Sequence, residues 1–187
     1  MSEPQGAAKA QLVADRAIVW DSEEGSRLYS LGYFGQPVGI RKPKEPVFDK
    51  PLELSLLEAM YLTEKKMLVV FDPASDRNLK ASEIMELGIE RQDGFQDQYH
   101  VYRSLRDKGY VLRPGLKFGT DFAVYRKGPG KDHAPFLVHV VSYKKGLEPL
   151  DIVRAGRLAT SVRKKFIIAT IKETGDIAYY SFVWFKP

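Results

Sequence analysis

The spacing of apolar residues turns from helical to strand-like at Lys108-Gly109-Tyr110, and no other feature limits the fold so much. Before that point, Ala81 to Leu87 and Phe95 to Lys108 carry apolar residues at helical intervals. Gly109 then closes the second helix, because glycine tolerates the left-handed conformation in which helices end. After it come short β-branched and aromatic runs, which predict strands over Tyr110 to Arg113, Phe122 to Lys127, Phe136 to Ser142, Phe166 to Lys172 and Ile177 to Phe185. One helix follows Pro149, and the turn Glu173-Thr174-Gly175-Asp176 joins the last two strands as a hairpin. The fold expected is α/β (α+β): an N-terminal α/β domain over residues 1–96 and a C-terminal α/β domain over residues 97–187, its mixed sheet flanked by helices.

The first half is less regular. Residues 1–10 are small and polar and are expected to fray, Leu12 to Trp20 reads as one strand, and Glu23 to Tyr33 as a short helix. Between Gly35 and Pro51 six glycines and prolines alternate with Arg41, Lys42, Lys44 and Lys50, which predicts an exposed basic loop over 36–50. Leu52 to Lys66 has near-helical apolar spacing, and Met67 to Phe71 follows as a buried strand.

Charge separates the halves more sharply than hydropathy does. Residues 1–100 hold 12 Lys and Arg against 17 Asp and Glu, whereas residues 101–187 hold 17 against 7. The second half is the one suited to a polyanion. No apolar run approaches the ~20 residues of a membrane span, and the N-terminus lacks the basic-then-apolar order of a secretion signal, so the expected location is cytoplasmic, away from membranes. The absence of Cys excludes disulfides and thiolate chemistry, and a single Asn (Asn78) suits a thermophilic source. Nucleotide-binding glycine loops, the zincin His pair and the hydrolase nucleophile elbow are all missing.

Few residues remain that could carry chemistry. His139 lies within a strand pattern and reads as structural, and His100 lies in a predicted helix. His133 sits in the Gly/Pro-rich connection Gly128-Pro129-Gly130-Lys131-Asp132-His133, where an imidazole can reach a ligand. In the helix after Pro149, Arg154, Arg157, Ser161 and Lys164 recur at spacings that share one face and could grip phosphates; a solvated basic face is the alternative reading.

Two runs, Tyr102-Arg103-Ser104-Leu105-Arg106-Asp107-Lys108-Gly109-Tyr110 and Gly115-Leu116-Lys117-Phe118-Gly119-Thr120-Asp121-Phe122-Ala123-Val124-Tyr125, lead into Asp132-His133 and Leu137-Val138-His139-Val140. Arg154-Ala155-Gly156-Arg157-Leu158-Ala159 and Val162-Arg163-Lys164-Lys165 complete the series. In this order they resemble the catalytic domain of the archaeal and eukaryotic tRNA-splicing endonucleases over residues 99–187, with the 36–50 loop similar to an insertion in crenarchaeal catalytic subunits. The resemblance implies a catalytic tyrosine at Tyr125, histidine at His133 and lysine at Lys164, with Lys165 the neighbouring contender. It further implies cleavage of precursor tRNA at bulge-helix-bulge structures, leaving 2′,3′-cyclic phosphate and 5′-hydroxyl ends, with no metal and no cofactor. An unstacked bulge base would be clamped by Arg157 and, opposite it, Trp184, with Arg154, Arg41, Lys42 and Lys44 along the backbone. The expected assembly is an α2β2 heterotetramer with a noncatalytic partner subunit, or a homotetramer.

These residue types suit that chemistry. In-line attack by a ribose 2′-OH needs a group to take its proton, an acid for the 5′-oxygen and a cation beside the phosphate, roles that Tyr125, His133 and Lys164 can fill in that order. A phenol of pKa near 10 is ionised only about one part in a thousand at pH 7, roughly 4 kcal/mol, which a neighbouring cation reduces. The other readings are a noncatalytic RNA-binding subunit, which need not retain all three residues, and a divalent-metal nuclease. For the latter the basic half offers no clustered Asp/Glu/Lys arrangement.

Overall fold

The computed structural model describes residues 6–41, 43, 45–116, 119–131, 133–144, 146–151, 153 and 164–181. The chain divides into two compact units, Met1–Phe95 and Gln96–Pro187.

The first unit holds a six-stranded mixed sheet in the order β3-β4-β2-β1-β5-β6, built from β1 (Ala8–Val13), β2 (Arg16–Val19), β3 (Gln36–Pro37), β4 (Leu52–Ser55), β5 (Leu68–Asp72) and β6 (Arg77–Leu79). β1 and β5 run parallel, and the other neighbours antiparallel. Its helices are α1 (Ser22–Gly32), α2 (Leu56–Glu64) and α3 (Ala81–Arg91), and Leu28, Leu52, Leu54, Leu62, Leu68 and Ile84 are among its most deeply buried side chains.

The structure corrects three sequence expectations in this unit. The strand expected over Leu12 to Trp20 is a hairpin, β1 and β2, turning at Ala14-Asp15 with Ala14 at φ 52; neither residue is the Gly or Asn that usually marks such a turn. Of the residues expected to fray, Ala8, Lys9 and Ala10 instead open β1, where Ala8 pairs with Leu68 and is wholly buried. Small side chains there reflect close packing. The helix expected from Leu52 begins at Leu56, because Leu52 and Leu54 alternate as strand residues and Ser55 caps the helix. The Ser55 hydroxyl accepts from the Glu58 N–H while the Glu58 carboxylate accepts from the Ser55 N–H, a reciprocal box visible as Ser-x-x-Glu.

The 36–50 loop is also more constrained than its composition suggests. Gln36 and Pro37 pair with Glu53 and Leu52. Gly35, at φ 71, donates its N–H to Glu58 Oε1 at 2.8 Å in a site where a Cβ would lie 2.7 Å from the Glu53 carbonyl oxygen, so only glycine fits. Further along, Val38 N–H donates to Pro51 O (2.9 Å), and Phe48 N–H donates to Ser26 Oγ (3.1 Å) while its ring meets Tyr29 edge-on at 5.7 Å. Arg41 is exposed between these anchors, and Lys42 and Lys44 lie outside the described residues.

The second unit opens with α4 (Phe95–Asp107) and holds a five-stranded mixed sheet, order β11-β10-β9-β8-β7, from β7 (Val111–Pro114), β8 (Phe122–Tyr125), β9 (Phe136–Val140), β10 (Lys165–Ile171) and β11 (Ile177–Ser181). Gly109, at φ 84, ends α4 as expected, its N–H donating to Arg106 O. The buried Arg106 side chain donates to Tyr102 Oη at 2.9 Å and to the Leu112 carbonyl at 3.3 Å, tying α4 to β7. The 173–176 turn closes the β10–β11 hairpin, with Gly175 at φ 87. β9 and β10 run parallel, and parallel neighbours require a crossover connection. Residues 149–151 and 153 of that connection are helical, beginning at Pro149, a residue the first helical turn tolerates. Among the described residues, no helix is long and apolar enough to cross a membrane.

Candidate active site

Strand direction brings three separate stretches of sequence to one end of the second sheet. β8 runs antiparallel to β9, and β9 parallel to β10. The last residue of β8 therefore lies at the same end as the first residues of β9 and β10. Tyr125 is that last residue, His133 precedes Phe136 of β9 by three, and Lys164 immediately precedes Lys165 of β10.

Register also fixes which face each side chain takes. Ala123 pairs with Leu137, and Leu137 with Phe166, so these three share a face. With a period of two, Tyr125 and Lys164 extend the same face at that end, two strand spacings or about 10 Å apart. Ala123, Ala134, Leu137, Phe166 and Ile168 form a buried cluster there, and half-buried Tyr125 packs against it. The Lys164 ammonium donates to the carbonyl oxygen of Ala134 at 2.6 Å, and the Lys165 N–H to that of Pro135 at 3.0 Å. Lys164 is thus tied to the residue that follows His133. His133 itself is exposed.

Lys164 was expected as the last member of a helical face and instead stands at the foot of β10. The distinction from Lys165 becomes sharper as a result: consecutive strand residues point to opposite faces, so Lys165 shares the reverse face with its partner Phe136, and it is exposed. Arg154, Arg157 and Trp184, expected to hold RNA, lie outside the described residues.

The opposite end of this sheet is braced by polar contacts. Asp121 Oδ2 lies 2.8 Å from His139 Nδ1 and accepts from the Val140 N–H at 2.8 Å, while Oδ1 accepts from Gln98 Nε2 at 2.9 Å. His139 is the satisfied strand histidine expected from its setting. His100 is exposed on α4. Among the described residues, no three His, Asp or Glu side chains converge to hold a metal ion. Reasoning from side chains alone missed the Ala134 carbonyl, a backbone acceptor that no residue type announces.

A family model of the tRNA intron endonuclease catalytic C-terminal domain matches residues 95–179, and one of its N-terminal domain matches residues 8–84. By class, then, this is a two-domain α+β endonuclease whose C-terminal unit is the catalytic domain. The chain belongs to the tRNA intron endonuclease family. It is 49% identical over 180 residues to the tRNA-splicing endonuclease of Hyperthermus butylicus, an alignment covering 96% of this chain and 99% of the relative. With that of Saccharolobus solfataricus it shares 39% identity over 95% of this chain and 98% of the relative, and with that of Pyrobaculum arsenaticum 42% over 89% and 93%.

Proposed function

We propose that this chain is the catalytic subunit of a tRNA-splicing endonuclease that cuts precursor tRNA at bulge-helix-bulge structures without a metal ion or cofactor. The observation that carries the reading is the 2.6 Å bond from Lys164 to Ala134, which joins the lysine to the His133 connection at the end of the sheet where Tyr125 lies. Tyr125 takes the proton of the attacking ribose 2′-OH or orients that hydroxyl, His133 protonates the departing 5′-oxygen, and the Lys164 ammonium stabilises charge on the non-bridging phosphate oxygens. An ammonium has three donors, so Lys164 can contact phosphate while bonded to Ala134. The products are a 2′,3′-cyclic phosphate and a 5′-hydroxyl.

Arg157 and Trp184 clamp an unstacked bulge base, an interaction worth ~1–3 kcal/mol, while Arg154, Arg41, Lys42 and Lys44 contact backbone. Two bulges demand two correctly spaced sites. Edge strand β11 and the acidic turn at 173–176 serve as contacts to neighbouring subunits in an α2β2 assembly with a noncatalytic partner, or in a homotetramer.

The test is cleavage of a bulge-helix-bulge RNA in excess EDTA, followed by analysis of the ends. Persistent cleavage with cyclic-phosphate termini is expected. Activity lost in EDTA and restored by Mg²⁺ would refute the mechanism.

A further inference from the structure

The connection from Tyr125 to His133 carries Arg126, Lys127 and Lys131 against a single acidic residue, Asp132. All three cations are exposed. Arg126 follows Tyr125 by one residue, so strand alternation sends its side chain to the opposite face of the sheet. There its Cζ lies 5.9 Å from the centroid of the Phe136 ring, which Tyr110 meets edge-on at 6.3 Å. A guanidinium resting on an aromatic ring is oriented before any ligand arrives, and its planar fork suits phosphate. Lys127 and Lys131 flank a tight turn in which the Lys131 N–H donates to Gly128 O at 3.1 Å, with Gly128 and Gly130 at φ 122 and 85. Such a turn holds the Cα atoms of Gly128 and Lys131 within about 7 Å, and Lys127 immediately precedes it, so both lysines belong to one end of the loop. The cations thereby run from the loop at the end of the sheet to its reverse face.

We propose that Arg126, Lys127 and Lys131 bind successive backbone phosphates of the RNA strand that leaves the cleavage site over the end of this sheet. The inference rests on the reading of Tyr125, His133 and Lys164 as that site. A strand whose reacting phosphate lies on the Tyr125 face, continuing past the end of β8, meets the two lysines at the turn and then the arginine behind. Contacts of this kind carry no sequence information; they fix the register of the strand on the protein.

The experiment measures dissociation constants of the full-length chain for a bulge-helix-bulge RNA between about 50 and 200 mM salt, a range over which phosphate contacts dominate affinity. Variants are Arg126→Gln, Lys127→Gln, Lys131→Gln and all three together, each checked for an unchanged melting profile. Each lost phosphate contact flattens the dependence of log K on log salt by about 0.7–0.9, so the triple variant should lose about 2 to 3 from its slope. Arg126→Lys keeps the charge and loses the stacked fork, so its slope should stay near that of the wild type while its affinity falls. A triple variant with wild-type slope and affinity overturns the proposal. Should the triple variant fold poorly, Lys131→Gln alone decides the matter, since that exposed turn residue carries no core packing. Cleavage by Tyr125→Phe is read in parallel. If it proceeds at the wild-type rate, the assignment of the site fails, and the placement of the departing strand fails with it.

Discussion

Lys164 and Ala134 are joined by a 2.6 Å hydrogen bond from ammonium to carbonyl, thirty residues apart in sequence and at the same end of one sheet. The bond sets the lysine beside the histidine connection by way of the backbone, so its position depends little on which side chains the connection carries.

Single-turnover cleavage should separate chemistry from binding. Tyr125→Phe, His133→Ala and Lys164→Ala are expected to fold and bind RNA while their rates fall by about 10²–10⁴, the usual contribution of general acid or base catalysis. Lys165→Ala should cleave at close to the wild-type rate, because Lys165 points from the opposite face of β10. Normal cleavage by all four would remove the assignment; a dead Lys165→Ala with an active Lys164→Ala would shift it by one residue.

The 36–50 loop is expected to touch RNA backbone through its cations. Lys44→Ala should weaken binding and flatten the salt dependence by about 0.7–0.9 in a filter-binding titration. An unchanged slope and an unchanged range of accepted bulges would count against that contact.

Glu58 is buried and accepts from Gly35 N–H at 2.8 Å, Ser55 N–H at 3.0 Å and Ser55 Oγ at 2.8 Å. Glu58→Ala strands the Gly35 N–H and removes the carboxylate half of the capping box while Ser55 still caps the helix, a loss of about 1–3 kcal/mol in denaturant unfolding. Glu58→Gln keeps one carbonyl acceptor and should cost less. Equal losses in the two variants would mean that packing, rather than hydrogen bonding, explains the effect.

Glu83 gives a pH signature. The Arg77 guanidinium at 2.7 Å, and after it the Lys80 backbone N–H, hold this carboxyl down to about 2 from its ordinary 4.5. A folded-state value below the unfolded one stabilises at higher pH, so this contribution is complete above about 4.5 and lost as pH falls towards about 2. Glu83→Gln should therefore lower the melting temperature slightly at pH 7, with the gap closing on acidification and shrinking in salt, because Arg77 is exposed and Glu83 only partly buried. A gap constant from pH 7 to pH 2 would contradict this account.

What could be read from sequence followed from physical locality. α4 and its Gly109 stop, α1 and the 173–176 hairpin each announce themselves within a dozen residues through period, cap or turn chemistry. The Ala14-Asp15 turn did not, since its left-handed alanine is stabilised by the pairing of β1 with β2 rather than by its own preference. β3 and β6 are two and three residues long and exist only because β4 and β5 offer edges to pair with. At the proposed site, His133 stood out by its setting and the resemblance implied Tyr125 and Lys164 beside it, but the face of Lys164 could not be known before the start of β10. A helical and an extended neighbour place consecutive lysines differently.

The anchoring of residues 36–50 has a consequence for how such a chain diversifies. The segment is sewn to its domain by Gly35 on Glu58, Val38 on Pro51 and Phe48 on Ser26, and Arg41 sits between the stitches. Because the seams hold the fold, the cloth between them is a replaceable cassette. Doubling its length adds only about 0.6 kcal/mol of closure entropy, so descendants of this chain can retailor that stretch while the sheet beneath keeps its pattern.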